Sequence, residues 1–99
     1  MTAYVVFELR AVHDLDALTR YRQVARPTIA AAGGRVIVAR GRSEKLEGNP
    51  PSETVIVEFP DFEKAQAWYR SAAYQEASKL RHGASDVDAY IVEGVTPPK

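Results

Sequence analysis

The stretch that decides the fold runs from residue 54 to residue 74, TVIVEFPDFEKAQAWYRSAAY, because its hydrophobic period changes partway along. Over Thr54 to Phe59, Val55, Val57 and Phe59 fall on one side and Ile56 and Glu58 on the other, the period of two that a strand imposes. Pro60 cannot donate to a ladder and ends it. After Asp61, a residue whose carboxylate can cap a helix, Phe62, Ala65, Trp68, Tyr69 and Ala72 recur at about 100° per residue and form one apolar arc. Ser71 is a second capping residue, so the helix is expected to break or bend there before continuing through Tyr74, Ala77 and Leu80 to Gly83.

The same pairing of strand and helix occurs upstream. Tyr4 to Arg10 sets Val5, Phe7 and Leu9 against Tyr4, Val6, Glu8 and Arg10. Beyond a cap in Asp14 to Asp16, the residues Leu18, Tyr21, Ala25, Thr28, Ile29 and Ala32 share a helical face. Pro27 deprives the Gln23 carbonyl of its donor and is expected to kink this helix, which Gly33 and Gly34 end. Arg35 to Arg40 reads as a strand with Val36, Val38 and Arg40 on one face and Ile37 and Ala39 on the other. The turn-forming residues of Gly41 to Glu53 connect it to Thr54, and Asp88 to Glu93 supplies a last strand. One domain over residues 1–95 is expected, with 96–99 as a frayed tail.

The order β-α-β-β-α-β is the split βαβ arrangement of ferredoxin-like α+β folds, in which helices cover one face of a four-stranded antiparallel sheet. Val5, Phe7, Leu9, Val55, Val57, Phe59 and Ile91 are expected under the helices. Tyr4, Val6, Glu8, Val36, Val38, Arg40, Ile56, Glu58, Tyr90 and Val92 are expected on the other face, which is too apolar to be left to water. A second copy packed about a twofold axis is the simplest cover and gives a homodimer with a barrel-like interior.

Composition narrows the function. Thirteen basic residues balance thirteen acidic ones over 99 residues, which removes the positive field that non-specific nucleic-acid binding uses. There is no cysteine, hence no disulfide, thiolate nucleophile or Cys-based zinc site. The apolar start at Tyr4 to Phe7 is broken at once by Glu8 and Arg10, so neither a signal peptide nor a membrane span is expected, and the chain reads as cytoplasmic.

Short motifs run through these elements: Glu58-Phe59-Pro60, Phe62-Glu63, Ala67-Trp68-Tyr69 and Tyr74-Gln75, and upstream Tyr21, Pro27, Gly33-Gly34 and Leu46-Glu47-Gly48. Together, from Tyr4 to Gly94, they resemble the domain of unknown function 1330 family. The resemblance implies a dimeric α+β barrel and carries no reaction with it. The chain has Ala72-Ala73 where that family commonly has a proline and an acid before the tyrosine.

Candidate chemistry lies on three parts of the chain. On the open sheet face, Glu8 and Glu58 are expected as neighbours on paired strands, able to raise one another's pKa and provide a general base, with Glu58 preferred. Arg10 and Arg40 are expected to neutralise them if the face is structural, and Tyr4 and Tyr90 to orient a substrate if it is not. On the helices, Tyr21, Arg22, Trp68 and Tyr69 are candidate ligand contacts, although aromatic residues at helical spacing also build cores. In the first loop His13, beside Asp14, is a second candidate base near neutral pH. Fold analogy raises a haem alternative with His82 as axial ligand near Trp68, but no residue spacing requires haem or any other cofactor, and no metal-ligand pattern occurs. The expected function is binding of a small organic molecule in a barrel interior or a helix-sheet cleft. Proton transfer or cofactor-independent monooxygenation would be its enzymatic form, and a non-catalytic interaction dimer is the rival.

Overall fold

Four antiparallel strands ordered β2-β3-β1-β4 form the sheet in the computed structural model, which describes residues 1–95. The chain runs β1 (Ala3–Val12), α1 (Leu15–Ala31), β2 (Arg35–Ala39), β3 (Glu53–Phe59), α2 (Phe62–Arg70), α3 (Ala72–Arg81) and β4 (Ser85–Glu93). This is the ferredoxin-like order, with the second helical region divided in two. The tail expected at 96–99 lies outside the described residues.

Each helix begins where the sequence offers a cap. The carboxylate of Asp14 accepts from the Ala17 N–H at 3.0 Å and that of Asp61 from the Lys64 N–H at 2.7 Å. Ser71 closes one helix and opens the next: its extended backbone breaks the path, its hydroxyl donates to the Trp68 carbonyl at 2.7 Å, and it accepts from the Tyr74 N–H at 3.2 Å. The break redirects the chain so that Trp68 and Tyr74, both buried, meet with ring centroids 4.1 Å apart. Helix α1 is continuous through Pro27.

The covered face holds Val5, Phe7, Leu9, Val57 and Phe59 as expected, joined by Leu18, Ala25 and Ile29 of α1, Ala65 and Trp68 of α2, and Tyr74 and Ala77 of α3. Val55, Val87 and Ile91 pack against this cluster while partly exposed.

Strand β2 departs from simple alternation. Its register with β3 pairs Arg35 with Glu58 and Val36 with Val57, then slips so that Val38 meets Ile56 and Ala39 meets Val55. Ile37 is the extra residue of a β-bulge, and the faces exchange around it. Val36 therefore packs under the helices, not on the open face, and Arg35 takes the open-face position. Arg40, expected on the open face, instead follows the strand with a left-handed φ of 58° and lines the space beneath the helices.

Gly33 and Gly34 serve different needs. Gly33 takes φ 81°, the left-handed conformation that ends a helix at low cost. A Cβ at Gly34 would stand 2.6 Å from Cε1 of the buried Phe59 ring, so only glycine lets β2 leave the helix at this height. Gly34→Ala is expected to force that ring aside and cost about 1–3 kcal/mol. A thermal melt should show a midpoint lowered by several degrees, whereas Gly41→Ala, where nothing lies within 4 Å of the added carbon, should melt like the parent.

Candidate functional site

The helix-sheet layer encloses a cavity of about 70 Å³ that is open on one side. Apolar walls come from β1 (Phe7, Leu9), α1 (Leu18, Ala25, Ile29), β3 (Val55, Val57) and Trp68 of α2. The polar lining is supplied by Tyr21 and four arginines, Arg22, Arg26, Arg40 and Arg81. Among the described residues no acidic one lines it.

Trp68 is held in place from above. Its indole N–H donates to Thr28 Oγ1 at 3.0 Å, and that hydroxyl donates to the Ala25 carbonyl at 2.6 Å, beside Pro27. Around the indole stand Phe59 at 5.3 Å, Phe7 at 6.3 Å with its ring edge-on, and Tyr74. Tyr74 shares a hydrogen bond of 2.9 Å with Tyr21 across the α1–α3 contact.

Arg81, in the last turn of α3, is only 9% exposed and sits against this aromatic group. Its guanidinium carbon lies 5.6 Å from the Phe7 ring centroid and 5.8 Å from that of Tyr21. Its Nε is buried with no hydrogen-bond partner, and among the described residues it forms no ion pair. Cation–π contact offsets part of the cost of burying the charge, roughly 0.5–2 kcal/mol per ring, but supplies no counter-ion. Burial, reinforced by the neighbouring Tyr74, pushes the Tyr21 phenol well above its ordinary value, and burial likewise raises that of Tyr74. Both stay neutral at physiological pH.

At the cavity mouth, partial burial and then the nearby Arg40 hold Arg22 below the usual guanidinium range, an effect that Glu53 partly offsets. Arg81 also borders a wider, shallower cleft shared with Arg10, His82, Ser85, Asp86 and Asp88. Ser85 Oγ there is buried and unpartnered as well.

The sequence-derived candidates thus divide into groups. Tyr21, Arg22, Arg40 and Trp68 line the cavity. Tyr69 is partly buried behind it, its ring 5.3 Å from that of Tyr74. Tyr4, Glu8, Glu58 and Tyr90 lie on the opposite face of the sheet. Glu8 and Glu58 are not neighbours: Glu58 pairs with Tyr4 and Glu8 with Thr54, four residues apart along β1, or about 13 Å. Each acid has its own cation, Glu8 with Arg10 at 3.1 Å and Glu58 with Arg35 at 3.0 Å, so Arg35 takes the role expected of Arg40. Arg10 also reaches Asp88, and the Tyr90 hydroxyl donates to Glu8 at 3.2 Å. His13 is half-exposed in the β1–α1 turn, 3.2 Å from Asp86, and does not line the cavity. His82 is exposed at the end of α3, on the shallow cleft, whereas Trp68 lines the cavity. No histidine faces the cavity, so its residues do not fit a haem. Among the described residues no group of three acids or histidines is placed to hold a metal ion.

Arg81 and Arg26 are the polar lining residues that sequence reasoning missed, and Tyr74, behind the lining, is the aromatic neighbour it did not single out. Arg81 reads as one more solvated helix cation, and the only hint against this is that the apolar arc of the capped second segment, Tyr74 and Ala77, extends to position 81.

Residues 2–95 match the model of a domain of unknown function, DUF1330, and the chain belongs to that family. Solved structures share its fold. A protein of unknown function from Rhodopseudomonas palustris has 19% identity and a TM-score of 0.76, over 97% of this chain and 84% of that one. SnoaB, a cofactor-independent oxygenase from Streptomyces nogalater, has 10% identity and a TM-score of 0.72, over 97% and 95%. A dimeric ferredoxin-like protein of unknown function from Jannaschia has 12% identity and a TM-score of 0.66, over 95% and 100%. At these identities the likeness concerns fold alone. No curated protein matches the sequence.

The raised phenols set a pH dependence. Unfolded tyrosines release their protons near pH 10 while Tyr21 and Tyr74 keep theirs in the folded chain, so the unfolded state binds fewer protons above that pH. The stabilisation is complete below about pH 10 and declines as pH rises further, by roughly 1 kcal/mol for Tyr21 at one unit above, with Tyr74 acting in the same direction. Urea unfolding of the parent and of Tyr21→Phe, from about pH 8 to pH 11, should show the parent losing more stability. Equal losses would contradict the burial of this pair.

Proposed function

We propose that this protein is a homodimer that binds a small organic molecule in the cavity beneath its helices, while the open face of the sheet forms the seam between subunits. The observation that carries this reading is how the two faces distribute their polar groups. On the open face, Val38, Ile56, Val6 and Tyr90 form one row across all four strands. On one side of that row stand Arg35, Glu58 and Tyr4, on the other Glu8 and Asp88 with Arg10 beside them. An apolar centre with ion-paired margins is the anatomy of a protein interface, and it leaves no open-face acid free for chemistry. The cavity is the reverse, an apolar enclosure with a buried cation that nothing among the described residues pairs.

Exposure supports the dimer. Tyr90 and Val92 are 48% and 45% exposed in the single chain, which measures only 17 Å along its thinnest axis and so consists of one helix layer and one sheet. A catalytic form of the function would be cofactor-independent oxygenation or proton transfer in the cavity, which the fold shared with an oxygenase of that kind supports. The rival, an interaction dimer without a ligand, predicts the same seam with nothing retained in the cavity.

Native mass spectrometry of the protein purified from its own cells tests both parts. The expected species has twice the 10.9 kDa subunit mass and carries a reproducible small-molecule adduct. Ile56→Lys, at the middle of the apolar row, is expected to weaken association at least tenfold by burying an unpaired ammonium at the seam. A parent that stays monomeric at micromolar concentration refutes the seam, and a clean dimer with no adduct under any mild condition favours the rival.

A further inference from the structure

Resting on the cavity reading above, we propose that the ligand is a small organic acid with a planar, apolar body, and that Arg81 binds its anionic group. The walls dictate the body. Phe7, Leu18, Val57 and Trp68 offer aliphatic and aromatic surface, and two of these four are flat rings.

The charge follows from Arg81. A guanidinium stays protonated at any ordinary pH and presents five N–H donors in a planar fork that matches two carboxylate oxygens. Here the residue is nine-tenths buried, the Nε of its fork has no partner, and the groups beside it in the cavity are ring faces and neutral phenols. A neutral ligand would leave the cation unpaired in apolar surroundings. A cationic ligand would meet four arginines and no acid on the cavity lining. An anion supplies the missing counter-ion and acceptor together, and Arg22 and Arg40 at the mouth favour its entry. The Tyr21 hydroxyl, kept protonated by burial, is a further donor on the same lining when Tyr74 donates in the bond the two share.

Benzoate and benzamide test the assignment, because they share a shape and differ in charge. Trp68 is the sole tryptophan and lines the cavity, so its indole N–H gives one resonance in a ¹⁵N-labelled sample that reports occupancy directly. Benzoate is expected to move that resonance saturably, with a dissociation constant at least tenfold below that of benzamide. Arg81→Met should erase the difference, and Arg81→Lys should keep part of it. Equal affinity of the two probes for the parent overturns the anion assignment while leaving the cavity reading intact, and needs no variant to fold. Undiminished benzoate binding by a folded Arg81→Met overturns it also. If neither probe moves the Trp68 resonance at millimolar concentration, the cavity reading falls together with the inference.

Discussion

The contact on which the rest depends is that of Trp68, through its ring with Tyr74 and through its indole N–H with Thr28. One side chain thereby joins the three helices to one another and, by way of Phe7 and Phe59, to the two central strands. The joint exists because Ser71, three residues after Trp68, stops α2 and starts α3 in a new direction. A helix running straight on from Phe62 to Arg81 would carry Tyr74 about 9 Å along its axis from Trp68. Two faces of the same aromatic group then do different things: one seals the core, and the other, with Tyr21, borders the space into which α3 delivers Arg81.

The sheet divides its chemistry by the pleat. Alternate residues of β1 look in opposite directions, so Val5, Phe7 and Leu9 build the core while Tyr4, Val6 and Glu8 belong to the open face of the sheet. Arg10 pairs with Glu8 and Asp88, and Arg35 with Glu58, around a central apolar row. Beneath the helices the balance is one-sided, cations without acids. The whole chain carries no net charge, so this segregation is a property of the fold and not of the composition.

Two features of β2 carry that segregation further. The bulge at Ile37 moves Val36 into the core and gives Arg35 to Glu58, and the left-handed backbone of Arg40 places its side chain at the cavity mouth. Strict alternation assigns Val36 and Arg40 to the open face; a single extra residue in the ladder reverses Val36, and the positive φ of Arg40 redirects the other. Nothing in Arg35 to Arg40 marks the bulge, because Val36, Ile37 and Val38 are all strand-forming and apolar.

The sequence by itself determined the order of the elements, their caps at Asp14, Asp61 and Ser71, the two-faced character of β1 and β3, and the family. These are written in local terms: a capping oxygen, a glycine at positive φ and a hydrophobic period each act within a few residues of themselves. Register and depth were decided by the tertiary structure alone. Glu8 and Glu58 share a face, yet the β1–β3 register separates them by four residues. Arg81 stands among surface-type residues in the chain, yet the turn at Ser71 and the packing of α3 on α1 put it in the interior beside Tyr21 and Phe7. Whether a charge meets water, a carboxylate or a ring depends on segments far along the chain, Glu58 for Arg35 and Phe7 and Tyr21 for Arg81, and no local pattern encodes those distances.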